Sequence, residues 1–305
     1  MSNNKTPRVA LLDGGLGQEI YRRAPQVHSP LWSVEVMRRH PEIVTSAHID
    51  FIRAGATTVT LNTYTATPSR LGKHGLKDQL QTLHRQAFAA LSQAIASTNA
   101  QVDIAACLPP LEASYQGQPE HNFQQLFSEF AKLVELQAEA DLFMIETMTN
   151  SLEASAACKA ASEAAKPFAL SFRLEPDGRL KSGESLAQAV SATADYAPGS
   201  ILLNCCEPET IATAMPELAR LHPCVGGYAN GFISIEPLAD GGSVDELEAR
   251  EDITPAVYTE QAQGWLRDGA KVVGGCCEIT PSHIQHLAAE LCKDYLLVRL
   301  SRLLV

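Results

Sequence analysis

The alternation of apolar and polar residues along the chain predicts eight short buried strands separated by helices. Short apolar runs bounded by turn residues indicate strands, whereas apolar residues three or four positions apart indicate helices. The predicted strands cover residues 9–12, 57–61, 102–107, 141–145, 168–172, 200–203, 223–227 and 271–273. The predicted helices cover residues 41–54, 76–97, 123–138, 151–165, 184–196, 208–221, 254–268 and 280–291.

This strict alternation, without internal repeats or a low-complexity linker, predicts one α/β domain over residues 1–305, a single (β/α)8 TIM barrel. Such barrels typically take about 250 residues, and their active sites lie at the carboxyl ends of the strands. Residues 292–305 form an apolar tail broken by two arginines. We expect this tail to pack as a short helix on the barrel or on a partner subunit.

Polar and thiol side chains directly follow six of the predicted strands. In a barrel these positions converge on one face, which makes them candidates for an active site. They are Asp13, Asn62, Glu146, Asn204–Cys205, Tyr228–Ala229–Asn230 and Cys276–Cys277.

The stretch 272–281 carries the strongest chemical signal, because two glycines and two adjacent cysteines link a strand to a helix that starts at Thr280 and Pro281. Adjacent Cα atoms lie only about 3.8 Å apart, too close for an ordinary disulfide, so Cys276 and Cys277 are better placed to bind a metal together. A catalytic zinc needs a third protein donor and one open position. The strand that ends in Cys205 and Cys206 can supply that donor. The alternative is that both cysteine pairs fill the core.

Three other features have a structural explanation beside the functional one. Asp13 lies in a glycine-rich turn whose backbone N–H groups can bind a carboxylate of a ligand. Alternatively, Asp13 serves only as a turn or cap residue. Glu146 binds a cationic group, or it interacts with the dipole of the following helix. The long segment 232–253, with seven acidic residues, is either a lid over the site or a tolerated insertion.

The charge and composition of the chain favour small molecules over macromolecules as binding partners. The net charge is −11 and basic runs are absent, which argues against binding to nucleic acid or anionic membranes. Residues 1–8 lack the apolar region of a secretory signal, and no apolar stretch is long enough to span a membrane. We therefore expect a cytoplasmic protein whose eight cysteines are thiols. The oligomeric state stays open.

Over residues 11–287 the chain resembles the zinc-dependent homocysteine S-methyltransferases. This family includes enzymes that use S-methylmethionine or S-adenosylmethionine, betaine-homocysteine methyltransferase, and the homocysteine half of cobalamin-dependent methionine synthase. The matching motifs are Leu203–Asn204–Cys205, Gly274–Gly275–Cys276–Cys277, Asp13–Gly14–Gly15, Glu146–Thr147 and Tyr228–Ala229–Asn230.

The resemblance implies a role for each of these motifs. Cys205, Cys276 and Cys277 are the expected Zn²⁺ ligands, whereas Cys206 has no counterpart among them and is expected in the surroundings of the site or in the core. The amino acid part of homocysteine is expected to contact Asp13, the backbone of Gly14, and Glu146. Asn204 and Asn230, from the remaining motifs, are the other predicted substrate-binding residues.

The implied activity is methyl transfer from a sulfonium donor, S-methylmethionine or S-adenosylmethionine, to the thiolate of L-homocysteine, a step of methionine biosynthesis. The chain departs from the family's pattern after strand three, where it has the segment 107–115 instead of a Gly-Pro-rich turn. The donor therefore stays open, with betaine and dimethylsulfoniopropionate as alternatives, and with selenohomocysteine as an alternative acceptor. From another class, a non-catalytic barrel would close a structural zinc site with Cys206 as its fourth ligand.

Overall fold

The computed structural model of the chain describes residues 6–239 and 244–304. Within these ranges, nine parallel strands form one sheet in the order β2-β3-β4-β5-β6-β7-β8-β1-β9. The strands are β1 Arg8–Leu11, β2 Thr58–Thr60, β3 Asp103–Leu108, β4 Leu142–Met148, β5 Phe168–Phe172, β6 Ser200–Asn204, β7 Val225–Tyr228, β8 Val272–Val273 and β9 Leu296–Val298.

The sheet closes into a ring between β1 and β2. A parallel bridge joins Leu12 to Thr58, and the backbone N–H of Thr57 donates to the carbonyl oxygen of Leu11 at 2.7 Å. On its other side β1 pairs with β8 through Ala10 and Val272. The predicted (β/α)8 barrel is confirmed, and all the strand ends discussed above lie on one rim.

Helices cover the outside of the barrel. They are α1 Leu16–Arg22, α2 Trp32–Arg39, α3 Pro41–Arg53, α4 Pro68–Lys73, α5 Leu80–Thr98, α6 Phe123–Leu136, α7 Ser151–Glu163, α8 Leu186–Thr193, α9 Pro208–Leu221, α10 Glu236–Ala239, α11 Pro255–Arg267 and α12 Pro281–Leu291. The predicted helices are present, within a few residues at each end. The pattern missed the shorter α1, α2, α4 and α10, whose apolar faces are too short to produce a clear period.

The core has two parts because successive strand residues point to opposite sides of the sheet. The larger part lies between strands and helices and includes Val9, Leu11, Phe143, Ile145 and Leu170. The smaller part fills the barrel interior, and small alanines on β1, β3 and β5 leave room there for larger side chains from the other strands. Its buried members are Ala10, Leu12, Ala105, Leu142, Met144, Ala169, Leu202, Cys224, Tyr228, Val272 and Leu300.

The prediction of a short helix for the C-terminal tail was wrong. The tail forms β9, which pairs in parallel with β1 from Arg8 to Ala10, and then a 3-10 turn over Leu300–Arg302. Leu300 is fully buried inside the barrel. The backbone N–H of Ser301 donates to Asp103 at 2.7 Å, at the start of β3. The tail therefore plugs the amino-terminal end of the barrel, opposite the rim with the cysteines.

None of the helices within residues 6–239 and 244–304 is both long and apolar enough to cross a bilayer.

Candidate metal centre and substrate cavity

The structure brings three of the predicted sulfurs together at the carboxyl rim. The Sγ atoms of Cys205, Cys276 and Cys277 all lie within 4.8 Å of one another. A zinc ion with Zn–S bonds of about 2.3 Å in a tetrahedral arrangement separates its sulfurs by about 3.8 Å. The three thiols therefore fit a metal ion with small side-chain adjustments, although their role as ligands stays a prediction.

Two local features of the backbone produce this arrangement. Cys205 follows the last residue of β6 and has a left-handed conformation with φ of 54°, which is uncommon for a residue with a side chain. Gly275 precedes the other two cysteines, and a Cβ at that position would overlap the side chain of Ile279. The missing side chain lets the chain pass close to Ile279 and Gly14 directly before Cys276 and Cys277.

The three thiols form a hydrogen-bonded group. Hydrogen bonds from Cys276 and Cys277 hold the pKa of Cys205 well below its ordinary value. The pKa values of Cys276 and Cys277 are raised, chiefly because each thiol donates a hydrogen bond to Cys205. One thiolate is thus already favoured in this group, and a bound cation would favour the ionisation of the other two.

The sulfurs lie in the wall of a large cavity of about 710 Å³. Cavities of this size hold small-molecule ligands. The predicted site residues Asp13, Gly14, Glu146 and Asn204 also line it. Residues from the segment 232–253 contribute as well, namely Phe232, Val244 and Glu246. Part of that segment, residues 240–243, lies outside the described part of the chain.

Asp13 and Glu146 are two carboxyl groups in the wall of this cavity, the first buried and the second half-buried. Asp13 accepts a 2.9 Å hydrogen bond from the backbone N–H of Thr60. Burial, with a smaller effect from Glu146, raises the pKa of Asp13 to about 8. Burial also raises the pKa of Glu146 to about 7. Glu146 accepts hydrogen bonds from the Cys107 thiol at 3.1 Å and the Tyr228 hydroxyl at 3.2 Å.

Asn204 supports the backbone that carries Glu146. The register of β4 shifts between Ile145 and Met148, and Thr147 has a left-handed φ of 61°. The Asn204 side chain accepts a hydrogen bond from the Thr147 N–H at 2.9 Å and donates one to the Thr147 hydroxyl at 2.8 Å. This bulge aims Glu146 into the cavity. A direct contact of Asn204 with substrate stays a prediction.

Asn230 and Cys206 lie apart from this cavity. Asn230 lines a second, much smaller cleft, and its side-chain oxygen accepts from the Phe232 N–H at 3.1 Å. Its role in substrate binding stays a prediction. Cys206 lines the same small cleft and packs in the larger core. Burial raises its pKa to about 12, so Cys206 is held as a neutral thiol outside the group of three sulfurs.

Sequence reasoning missed several side chains that line the cavity, among them Tyr115 and Arg70. Tyr115, from the loop after β3, places its hydroxyl 3.2 Å from Cys205 Sγ. Arg70, from α4, donates to the carbonyl oxygen of Pro110 and to Ser114. Both lie in segments that the pattern left unassigned or irregular. The only signal for Tyr115 was the departure of its loop from the expected glycine-rich pattern.

The fold and the site define a (β/α)8 barrel whose cavity carries three thiols and two carboxyl groups at the carboxyl ends of the strands. The chain belongs to a family of methyltransferases, the homocysteine S-methyltransferases, whose model matches residues 10–291. This match confirms the family that the cysteine motifs indicated.

Relatives align with nearly the full chain. The homocysteine S-methyltransferase of Escherichia coli (strain K12) is 29% identical over 307 residues, which cover 92% of this chain and 94% of the relative. Homocysteine S-methyltransferase 3 of Zea mays is 26% identical, with coverage of 90% and 88%. The selenocysteine Se-methyltransferase of Brassica oleracea var. italica is 23% identical, with coverage of 94% and 90%.

A solved structure supports the fold. The homocysteine methyltransferase MmuM from Escherichia coli, in its metallated form, superimposes with a TM-score of 0.78 at 23% identity. The superposition covers 94% of this chain and 97% of that one. At this identity the likeness establishes the barrel alone.

Proposed function

We propose that this protein transfers a methyl group from a sulfonium donor, S-methylmethionine or S-adenosylmethionine, to the thiolate of L-homocysteine, giving methionine. The observation that carries the proposal is the group of three cysteine sulfurs within 4.8 Å of one another, in the wall of the 710 Å³ cavity. The catalytic machinery in this proposal is a Zn²⁺ ion held by Cys205, Cys276 and Cys277.

The donor set suits a catalytic rather than a structural metal. Structural zinc sites usually have four protein ligands, and the residue that would supply the fourth, Cys206, packs in the core instead. When bound, Zn²⁺ supplies an open coordination position that keeps the substrate sulfur deprotonated at neutral pH. Three cysteine thiolates keep the net charge of such a site negative, which favours a nucleophilic sulfur.

Asp13 and Glu146 suit the amino group of homocysteine. Their raised pKa values show that burial without a cation disfavours their negative charge. An ammonium group placed beside them would offset this cost and select an amino acid as substrate. Gly14 would contribute its backbone, because it lies in the same turn as Asp13 and lines the cavity.

Basic side chains in the wall of the cavity suit a donor that carries an anionic group. These side chains are Arg70, Lys73 and His74, all on or next to α4. An arginine or lysine there would bind the carboxylate of the donor and orient its methyl group toward the homocysteine sulfur. Such alignment lowers the barrier of a displacement reaction by up to roughly 7 to 11 kcal/mol in well-oriented cases. A sulfonium donor leaves as a neutral thioether, so the reaction needs no general acid.

Betaine and dimethylsulfoniopropionate also carry a carboxylate and stay alternative donors. Selenohomocysteine stays an alternative acceptor, which the similarity to a selenocysteine Se-methyltransferase favours. We further propose that the protein works in the cytoplasm, because the three thiols have to stay reduced to bind metal.

The direct test measures methionine formation by the zinc-loaded protein with homocysteine and each of the four donors, with and without a chelator. We expect chelator-sensitive product with S-methylmethionine or S-adenosylmethionine. Product with betaine alone or with dimethylsulfoniopropionate alone would identify the alternative donor. The absence of product with every donor, despite bound zinc, would refute methyl transfer to homocysteine.

A further inference from the structure

The loop between β3 and α6 places one tyrosine against the candidate metal centre. Tyr115 is buried, with 5% of its surface exposed, and its hydroxyl oxygen lies 3.2 Å from Cys205 Sγ. Its backbone has a φ of 67°, a left-handed conformation that costs energy for an aromatic residue. Neighbouring contacts must therefore hold Tyr115 in this position.

Several contacts fix the loop and the ring. The backbone N–H of Leu111 donates to Glu153 at 2.8 Å, and the hydroxyl of Thr149 donates to the carbonyl oxygen of Gln116, directly after Tyr115, at 2.5 Å. The guanidinium of Arg173 lies over the Tyr115 ring, 5.5 Å from its centroid. Arg173 is itself buried and pairs with Glu175. The hydroxyl has little freedom to point elsewhere.

We propose that Tyr115 is a positioning residue for the metal centre, whose hydroxyl donates a hydrogen bond to the Cys205 thiolate. The direction follows from the chemistry, because a thiolate has no proton to donate and a phenol has one. The bond fixes the direction of Cys205 Sγ and withdraws part of its negative charge. Of the three sulfurs, Cys205 Sγ is the one to which the structure shows a hydrogen bond from the Tyr115 hydroxyl.

This inference rests on the proposed function, because it concerns the metal that the three cysteines would hold. Hydrogen-bond partners of metal ligands typically contribute about 10- to 100-fold in metal affinity or activity. Removal of the hydroxyl alone should therefore weaken metal binding while the ring keeps its contact with Arg173. A merely structural tyrosine would change folding stability and leave the affinity of the folded protein for metal unchanged.

The test compares Tyr115→Phe with wild type by zinc titration against a competing chelator, and by the thiolate-to-metal absorption of the Co²⁺-substituted protein. We expect zinc affinity to fall about tenfold or more and the cobalt band to shift. Tyr196→Phe is the matched control, because Tyr196 lies in a 3-10 turn before β6, at the other end of the barrel. We expect this variant to match wild type in both measurements.

Two outcomes would overturn the inference and separate it from the proposed function. Wild type that binds zinc and forms methionine, together with Tyr115→Phe of equal affinity and an identical cobalt spectrum, would overturn the role of Tyr115 alone. Wild type that binds neither zinc nor cobalt would overturn the proposed metal centre, and the role of Tyr115 with it.

Discussion

Substitution of His48 should make the stability of this barrel less sensitive to acid. His48 lies in α3 and is fully buried. Within the part of the chain that the structure describes, neither of its ring nitrogens has a hydrogen-bond partner. Burial alone lowers the pKa of His48 to about 3. The folded protein therefore holds this imidazole neutral at pH values where the unfolded chain protonates it.

The size of the effect follows from proton linkage. In the unfolded chain the histidine has a pKa near 6.5, so below that value the unfolded state binds more protons and stability falls as the pH falls. The loss continues until the folded pKa, about 3, is reached. Between pH 7 and pH 5 the contribution of His48 to the free energy of unfolding should decrease by about 2 kcal/mol.

The assay measures the free energy of unfolding by urea at pH 7 and at pH 5 for wild type, His48→Leu and His74→Leu. Other groups also titrate in this range, so the relevant quantity is the difference between wild type and each variant in their pH-dependent loss. We expect His48→Leu to lose about 2 kcal/mol less than wild type. The control, His74→Leu, removes an exposed ring and should lose as much as wild type. Equal losses for His48→Leu and wild type would refute the argument from burial.

Three further predictions concern the barrel and its site. Leu300→Ala should lower the free energy of unfolding, measured by urea titration, by about 2 to 5 kcal/mol because it leaves a cavity in the barrel interior. Leu296→Ala, at an exposed position of the same tail, should change this free energy little. Cys276→Ser should lose bound zinc and methyl transfer together, as measured by metal analysis and methionine formation, whereas Cys206→Ser should keep both. A Cys276→Ser enzyme with full zinc content and full turnover would contradict the proposed zinc ligands. Glu146→Gln should raise the KM for homocysteine by about 10- to 100-fold without loss of zinc, because it removes a hydrogen bond to a charged group. An unchanged KM would exclude Glu146 from binding the amino acid part of the substrate.

The alternation of strands and helices and the candidate metal ligands can be predicted from the amino-acid sequence. Period-two and period-3.6 patterns depend on residues close together in the chain, which is why the eight barrel strands could be assigned before the structure was known. Cysteine pairs at two strand ends were visible for the same reason. Once the strands form a barrel, topology alone places Cys205 and Cys276 on one rim.

The way in which these side chains meet depends on contacts between distant parts of the chain. Cys205 and Cys206 are adjacent residues of the same type. The left-handed backbone at Cys205 directs the Cys205 side chain toward the other two sulfurs and leaves the Cys206 side chain in the core. The bulge that aims Glu146 depends on Asn204, a residue far away in the chain.

The same reason explains two of the features that sequence patterns missed. The tail becomes a strand because the edge of β1 near Arg8 offers it a partner, and this partner lies at the opposite end of the chain. Tyr115 reaches Cys205 from a loop without periodicity, held by contacts with Arg173 and Thr149. Local patterns fix the elements, whereas long-range contacts fix the orientation of the side chains on which the chemistry depends.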